Sequence, residues 1–195
     1  MEVRLLSHAP MKLTLNKSEF RDDRATEIVR TIRPFLIPNS KLIDIGAGGC
    51  TIAQELIREG FQITPIDVRN KSVVSDISPT IYDGKRIPFA DSSFDIALLI
   101  TVLHHTKDPV AILKEASRVA KRIIVMEDLY ENQIQKYLTF IMDSWLNKEF
   151  FGHPYSNKTE TDWEQTFKNL DLKLIGKEKH PFWRFFLSGT FCLEK

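Results

Sequence analysis

The chain has 195 residues, with Lys plus Arg (27) nearly matched by Asp plus Glu (26) and a formal net charge of +1. That length suits one domain with a sizeable core, and the charge balance gives no electrostatic case for a nucleic-acid partner. The two cysteines, Cys50 and Cys192, are far apart with no Cys-x-x-Cys spacing, so no disulfide framework or metal site is expected; the expectation is free thiols in a cytoplasmic protein, and no segment reads as a signal peptide or a bilayer span.

Residues 1–20 carry little pattern. Ala25, Ile28, Val29 and Ile32 then recur at helical spacing, predicting a helix over Arg21–Thr31 that Pro34 and Pro38 end. Lys41–Ile45 reads as a buried strand and Thr51–Arg58 as a helix with Ile52, Leu56 and Ile57 inward, closed by Gly60. Phe61–Ile66 is a second strand ending at Asp67, Thr80–Tyr82 a short third, and Asp95–Ile100 an apolar run suited to the middle of a parallel sheet. Asp108–Val119 is a helix with Ile112, Leu113, Ala116, Val119 and Ala120 on one side, and Arg122–Met126 is the fifth strand. Alternating strands and helices argue for an open, doubly wound α/β sheet. Beyond Asp128 the texture changes. Gln133–Leu146 is aromatic-rich and helical, Phe151–Thr159 a loop, Glu160–Asn169 a helix, and Leu170–Lys177 and Phe185–Leu193 two strands whose short connection requires antiparallel pairing. Seven strands in one domain result, mostly parallel with a C-terminal antiparallel hairpin, and residues 129–160 form an insertion that can cover a substrate.

The stretch LIDIGAGGC, Leu42–Cys50, is the densest chemical signal. A buried strand ends in Asp44 and turns through Gly46, Gly48 and Gly49 straight into a helix. Glycine at such a turn lets a ligand press on bare backbone, and ligands of open α/β sheets sit at the carboxyl ends of the strands. Asp67 ends the next strand, at about the spacing of roughly 20 residues that suits a ribose-binding acid. The order describes an adenosine-containing ligand. A dinucleotide turn wants a third glycine where Thr51 stands, and Asp44 just behind the turn repels pyrophosphate but attracts a cationic ligand.

At these residues the sequence resembles the class I S-adenosylmethionine-dependent methyltransferases, in their small-molecule branch. LIDIGAGGC is similar to their first motif and ITPIDV to their second; the longest similarity is YDGKRIPFADSSFDIALLITVLHHTKDP, Tyr82 to Pro109. Cys50 stands where the family often has a third glycine, and Gly84 where alanine is common. The resemblance implies a Rossmann-like sheet with the seventh strand between the fifth and sixth, and S-adenosylmethionine as cofactor. It implies Asp44, Gly46, Ala47 and Gly48 around the methionine end, Asp67 on the ribose and Val68 against adenine. Asp83 and Gly84 would then meet the adenine amino group, and Ile100 and Thr101 the sulfonium.

Methyl transfer from a sulfonium is an in-line displacement in which the protein aligns the acceptor and excludes water, so no catalytic triad is required. His104 and His105 follow the fourth strand and are candidates for a general base, or for packing the turn. Glu127, Asp128, Tyr130 and His153 are candidates for acceptor contacts, Glu127 and Asp128 alternatively for helix capping. The expected partner is a small-molecule acceptor, with no metal and no membrane, in a monomer or homodimer. Two other readings stay open: a nicotinamide-dependent oxidoreductase, and a binding scaffold that retains the fold without turnover.

Overall fold

The computed structural model describes residues 17–131, 135, 157–182 and 186–195. Its strands are β1 (Lys41–Ile45), β2 (Gln62–Asp67), β3 (Thr80–Ile81), β4 (Phe94–Ile100), β5 (Ala120–Leu129), β6 (Lys173–Phe182) and β7 (Phe186–Glu194). They form one sheet in the order β3-β2-β1-β4-β5-β7-β6. All pairs from β3 to β5 are parallel, whereas β7 is antiparallel to both β5 and β6. The seven-stranded sheet and the hairpin are as expected, with the last strand inserted between its two predecessors.

Four α-helices lie among the described residues: α1 (Lys17–Ile32), α2 (Thr51–Arg58), α3 (Pro109–Val119) and α4 (Glu160–Lys168). Strand alternation sends successive side chains to opposite faces, so two cores form. Ile43, Ala97, Leu99, Ile123 and Val125 meet α3 and α4 in one, where Trp163 stacks on Phe167 with ring centroids 5.9 Å apart. Leu42, Ile96, Leu98, Ile124 and Met126 meet α1 and α2 in the other, with Ile28, Val29, Ile32 and Leu56. Each fully buried Leu or Ile is worth about 1.5–3 kcal/mol, so both faces contribute heavily to stability.

The helix ends are set by local chemistry. Asp108 caps α3 by accepting the Ala111 N–H at 2.9 Å, and Pro109 sits in the first turn where no N–H is needed. Thr159 and Asp162 form a reciprocal capping box at the start of α4.

Several boundaries differ from the sequence reading. α1 begins at Lys17, so only residues 1–16 of the irregular N-terminal segment lie outside the description. Ile57 was expected inward but is 46 % exposed; Ala53 and Leu56 are the buried residues of α2, and Ile57 falls about 100° around the helix from Leu56. Ala120 is not on the helix but opens β5, which runs on to Leu129. β6 starts later than expected, at Lys173, and continues through His180 and Pro181, which the sequence assigns to a connection. Antiparallel pairing with β7 as far as Phe182↔Phe186 keeps those residues extended. The aromatic stretch Gln133–Leu146, apart from Gln135, lies outside the described residues, as does His153.

Candidate active site

The loops after β1, β2, β3 and β4 gather at the carboxyl edge of the sheet. Asp44 is the fourth residue of β1, on the face shared by Leu42 two residues earlier. It is 2 % exposed, and its Oδ2 has no hydrogen-bond partner among the described residues. Burial, and then the nearby Asp67 carboxylate, push its pKa up to about 7.

The turn that follows is held from below. The N–H groups of Gly46 and Ala47 both donate to the carbonyl of Ile66, at 2.9 and 3.0 Å, and Gly48 N–H donates to Asp67 Oδ2 at 2.9 Å. Gly46 has φ +81°, and a Cβ there would overlap the Val102 side chain, so this position admits only glycine. Beside Gly48 the nearest heavy atom to a hypothetical Cβ is 4.0 Å away, so its backbone fronts open space.

Cys50 shows why the sequence departs from the three-glycine pattern. It caps α2 in the left-handed region, φ 58° and ψ 15°, and is fully buried. A side chain in that region costs roughly 1–2 kcal/mol, which burial of the thiol offsets. Burial also raises its pKa, partly countered by a hydrogen bond with Ser72.

Asp67 ends β2, 9 % exposed, with Oδ1 accepting Arg69 N–H at 3.1 Å and Oδ2 accepting Gly48 N–H. A carboxylate oxygen accepts more than one hydrogen bond, so both remain able to take a hydroxyl hydrogen. Val68, next in sequence, is 51 % exposed. After β3, Asp83 Oδ1 accepts the N–H groups of Lys85 (2.8 Å) and Arg86 (3.0 Å), which hold its carboxyl below the usual range. Gly84 follows at φ +74°, where a Cβ would stand 3.0 Å from Val68 Cγ1. The positive φ and that contact both favour glycine at this position.

At the end of β4, Ile100 is 6 % exposed and Thr101 is half-buried at φ +51°, an outlying conformation for a β-branched residue. Thr101 N–H donates to the Met126 carbonyl at 2.7 Å, which fixes the strained residue against β5. Such strain concentrates at ligand-binding turns.

His104 and His105 lie in a short 3-10 turn, Leu103–His105. His104 is 1 % exposed and shares a 2.5 Å hydrogen bond between Nδ1 and Glu127 Oε2; the two imidazoles are in ring contact, centroids 4.1 Å apart. Glu127 is fully buried and its Oε1 also accepts Val102 N–H (2.9 Å) and Leu103 N–H (2.7 Å). Its carboxyl group is committed to this turn. Tyr130 is half-buried just beyond β5.

The register adds two residues that sequence reasoning missed, Ser188 and His180, beside the Asp128 that it offered. Asp128 of β5 is opposite Ser188 of β7, which is opposite His180 of β6. Opposed residues share a face, and Asp128 follows Met126 by two, so this polar row lies on the face that carries Asp44. Only the pairing could reveal it, because the three are scattered in sequence.

Residues 43–123 match the family model described as a methyltransferase domain. The chain is similar to class I S-adenosylmethionine-dependent methyltransferases in that segment. It is 32 % identical over 113 residues to a demethylmenaquinone methyltransferase of Corynebacterium glutamicum, 56 % of this chain and 49 % of the relative. It is 27 % identical over 92 residues to a ubiquinone biosynthesis O-methyltransferase of Idiomarina loihiensis, 42 % of this chain and 38 % of the relative. The chain thus spans about half the length or less of these curated relatives. A solved S-adenosylmethionine-dependent methyltransferase of Methanosarcina mazei shares the fold, with a TM-score of 0.66 at 18 % identity, over 85 % of this chain and 96 % of that one.

The residues present also fit S-adenosylmethionine in chemistry: a buried carboxylate oxygen unmatched among the described residues, open backbone at Gly48, the Asp67 carboxylate with accepting capacity to spare and the exposed apolar Val68.

Proposed function

We propose that the chain catalyses methyl transfer from S-adenosylmethionine to a small-molecule acceptor. The observation that carries this reading is Asp44: a buried carboxylate oxygen with no donor among the described residues, beside a second carboxylate and behind an open glycine turn, calls for a cationic group. Unpaired buried charge is expensive, and an ammonium or sulfonium ligand relieves it.

In this reading S-adenosylmethionine, when bound, supplies an already activated methyl group. Asp44 and the backbone of Gly46, Ala47 and Gly48 hold the amino-acid end. Asp67 accepts the ribose hydroxyl hydrogens, Val68 packs on adenine, and Asp83 with Gly84 meets its amino group. Ile100 and Thr101 line the sulfonium, with Thr101 held in one orientation by the Met126 carbonyl. Orientation of this kind accounts for much of the rate in a displacement that needs no covalent help from the protein.

The curated relatives are named for quinone-pathway methylation, so phenolic or hydroquinone rings are the first acceptor class to screen. Asp128, Ser188 and His180 lie along the same face as the cofactor acids and are the groups proposed to meet the acceptor. Glu127 and His104 act one layer behind, holding the turn beside Thr101; His105 and Tyr130 stay as acceptor-side candidates.

Calorimetric titration with S-adenosylmethionine, S-adenosylhomocysteine and NAD tests the cofactor, repeated with Asp67→Ala. Binding of the first two, lost in the variant and absent for NAD, is expected. Binding of NAD alone overturns the reading in favour of an oxidoreductase, and binding without turnover across the acceptor screen favours a scaffold. Once an acceptor is found, Asp128→Asn is expected to raise its KM and leave the affinity for S-adenosylhomocysteine unchanged.

A further inference from the structure

The adenine side of the site has little secondary structure of its own. β3 is two residues long and among the described residues pairs only with β2, and in residues 82–93 no helix follows it. Asp83 and Gly84 therefore stand at the head of an irregular loop, with Asp83 exposed. A strand-to-helix loop is normally fixed at both ends; this one enters from a minimal edge strand and leaves into β4.

Two side chains on α3 replace the missing anchor. Arg118 uses all five guanidinium N–H donors. Its Nε donates to Glu115 Oε1 (2.8 Å), one terminal nitrogen to the Phe89 carbonyl and Asp91 Oδ1 (both 2.8 Å), and the other to the Ile87 carbonyl (2.9 Å) and Glu115 Oε2 (2.7 Å). Glu115 Oε2 in turn accepts Ile87 N–H at 2.8 Å. The Arg118 carbonyl closes the circuit by accepting Ser92 N–H at 2.9 Å. Both backbone groups of Ile87 are thus held by one ion pair, four residues after Asp83. The pair is one-fifth exposed on each side, so its hydrogen bonds are only partly screened by water. Glu115 is held below its ordinary pKa and Arg118 above its own, each chiefly by the other.

We propose that Glu115 and Arg118 are positioning residues for the nucleoside end of the cofactor site, fixing the Asp83–Ser92 loop so that Asp83 and Gly84 meet adenine without an ordering cost at binding. The proposal rests on the methyltransferase reading, through which alone Asp83 and Gly84 enter the site. Neither Glu115 nor Arg118 touches the ligand. A planar five-donor fork is required, because a lysine ammonium has three donors and cannot reach two carbonyls and two carboxylates together.

The test is calorimetric titration of the full chain with S-adenosylhomocysteine and with 5′-methylthioadenosine, which keeps the nucleoside and lacks the amino-acid end. Arg118→Lys and Arg118→Ala are compared with Arg122→Ala. Arg122 bonds Glu194 and the Phe35 carbonyl on the face of the sheet away from α3, so its loss reports a purely structural defect. Arg118→Lys is expected to weaken both nucleosides by about tenfold, with faster amide exchange over 85–92, while Arg122→Ala binds both within about twofold of wild type. If Arg118→Ala does not fold, Arg118→Lys carries the test. Unchanged affinity in Arg118→Lys overturns the inference alone. Failure of the wild-type chain to bind either nucleoside overturns the parent reading and this inference with it.

Discussion

Asp44 and Glu127 are both carboxylic acids buried at the carboxyl edge of one sheet, and they are used in opposite ways. Glu127 has a donor for each oxygen: two backbone N–H groups on Oε1 and His104 on Oε2. Among the described residues Asp44 has an oxygen with none, and it has a second carboxylate for a neighbour. A buried acid that is fully satisfied within its own chain is scaffold. One left unsatisfied stores a cost that a ligand can remove. The difference separates the turn after β4, which is finished by folding, from the turn after β1, which is finished by binding.

The sharpest way to break that contrast is to delete each acid. Glu127→Ala strands two backbone N–H groups and an imidazole in the core and is expected to cost about 3–5 kcal/mol in urea unfolding. Where the variant remains folded it should still bind S-adenosylhomocysteine, because among the described residues the Glu127 carboxyl bonds the turn and none of the residues assigned to the cofactor. Asp44→Asn should do the reverse, weakening S-adenosylhomocysteine by about tenfold or more in calorimetry. It should also melt higher than wild type when ligand-free at pH 8.

The pH dependence sharpens the same point. The ordinary Asp value is 3.8, and Asp44 in the folded protein is pushed up to about 7. Between these values the folded chain holds a proton that the unfolded chain has released. The associated stability is present below pH 3.8, is lost as pH rises to about 7, and changes no further above it. The melting advantage of Asp44→Asn over wild type should therefore grow from pH 4 to pH 7 and then level. In wild type, affinity for S-adenosylmethionine should rise through pH 7 as Asp44 ionises. A flat affinity between pH 6 and 8 would show that Asp44 does not meet the cationic end.

The smallest effect concerns Cys50. Glycine there relieves a left-handed side chain but empties a buried position, so Cys50→Gly is expected within about 1 kcal/mol of wild type. Cys50→Ala keeps the strain and loses the packing, and should be the less stable of the two in thermal unfolding.

The sequence made the glycine turn, Asp44 and Asp67 legible because a strand, a tight turn and an acid are local patterns. It also showed the alternation of strands and helices and the closing hairpin. What it hid was non-local. Nothing in VMEDL tells that Glu127 reaches back to the 3-10 turn, since the contact spans 23–25 residues of chain. Ile57 misled because an eight-residue helix has too few turns to fix its buried side from periodicity alone. The row of Asp128, Ser188 and His180 exists only through strand register, and the extension of β6 through His180 comes from its partner rather than from propensity.

The placement of β7 has a consequence in time as well as space. It follows β6 in the chain yet lies between β5 and β6, and its outermost contact, Arg122 with Glu194, joins residues 72 apart. β6 therefore has no strand to rest on until the later strand arrives, and the loop to be closed is long. Closure of such distant pairings slows folding. During synthesis β5 waits with one edge open, a strand whose residues 123–127 are all buried in the finished sheet. That open apolar edge is the segment most exposed to pairing with another chain. Slow refolding and loss to aggregation should respond to changes in β7 more than to changes anywhere around the glycine turn.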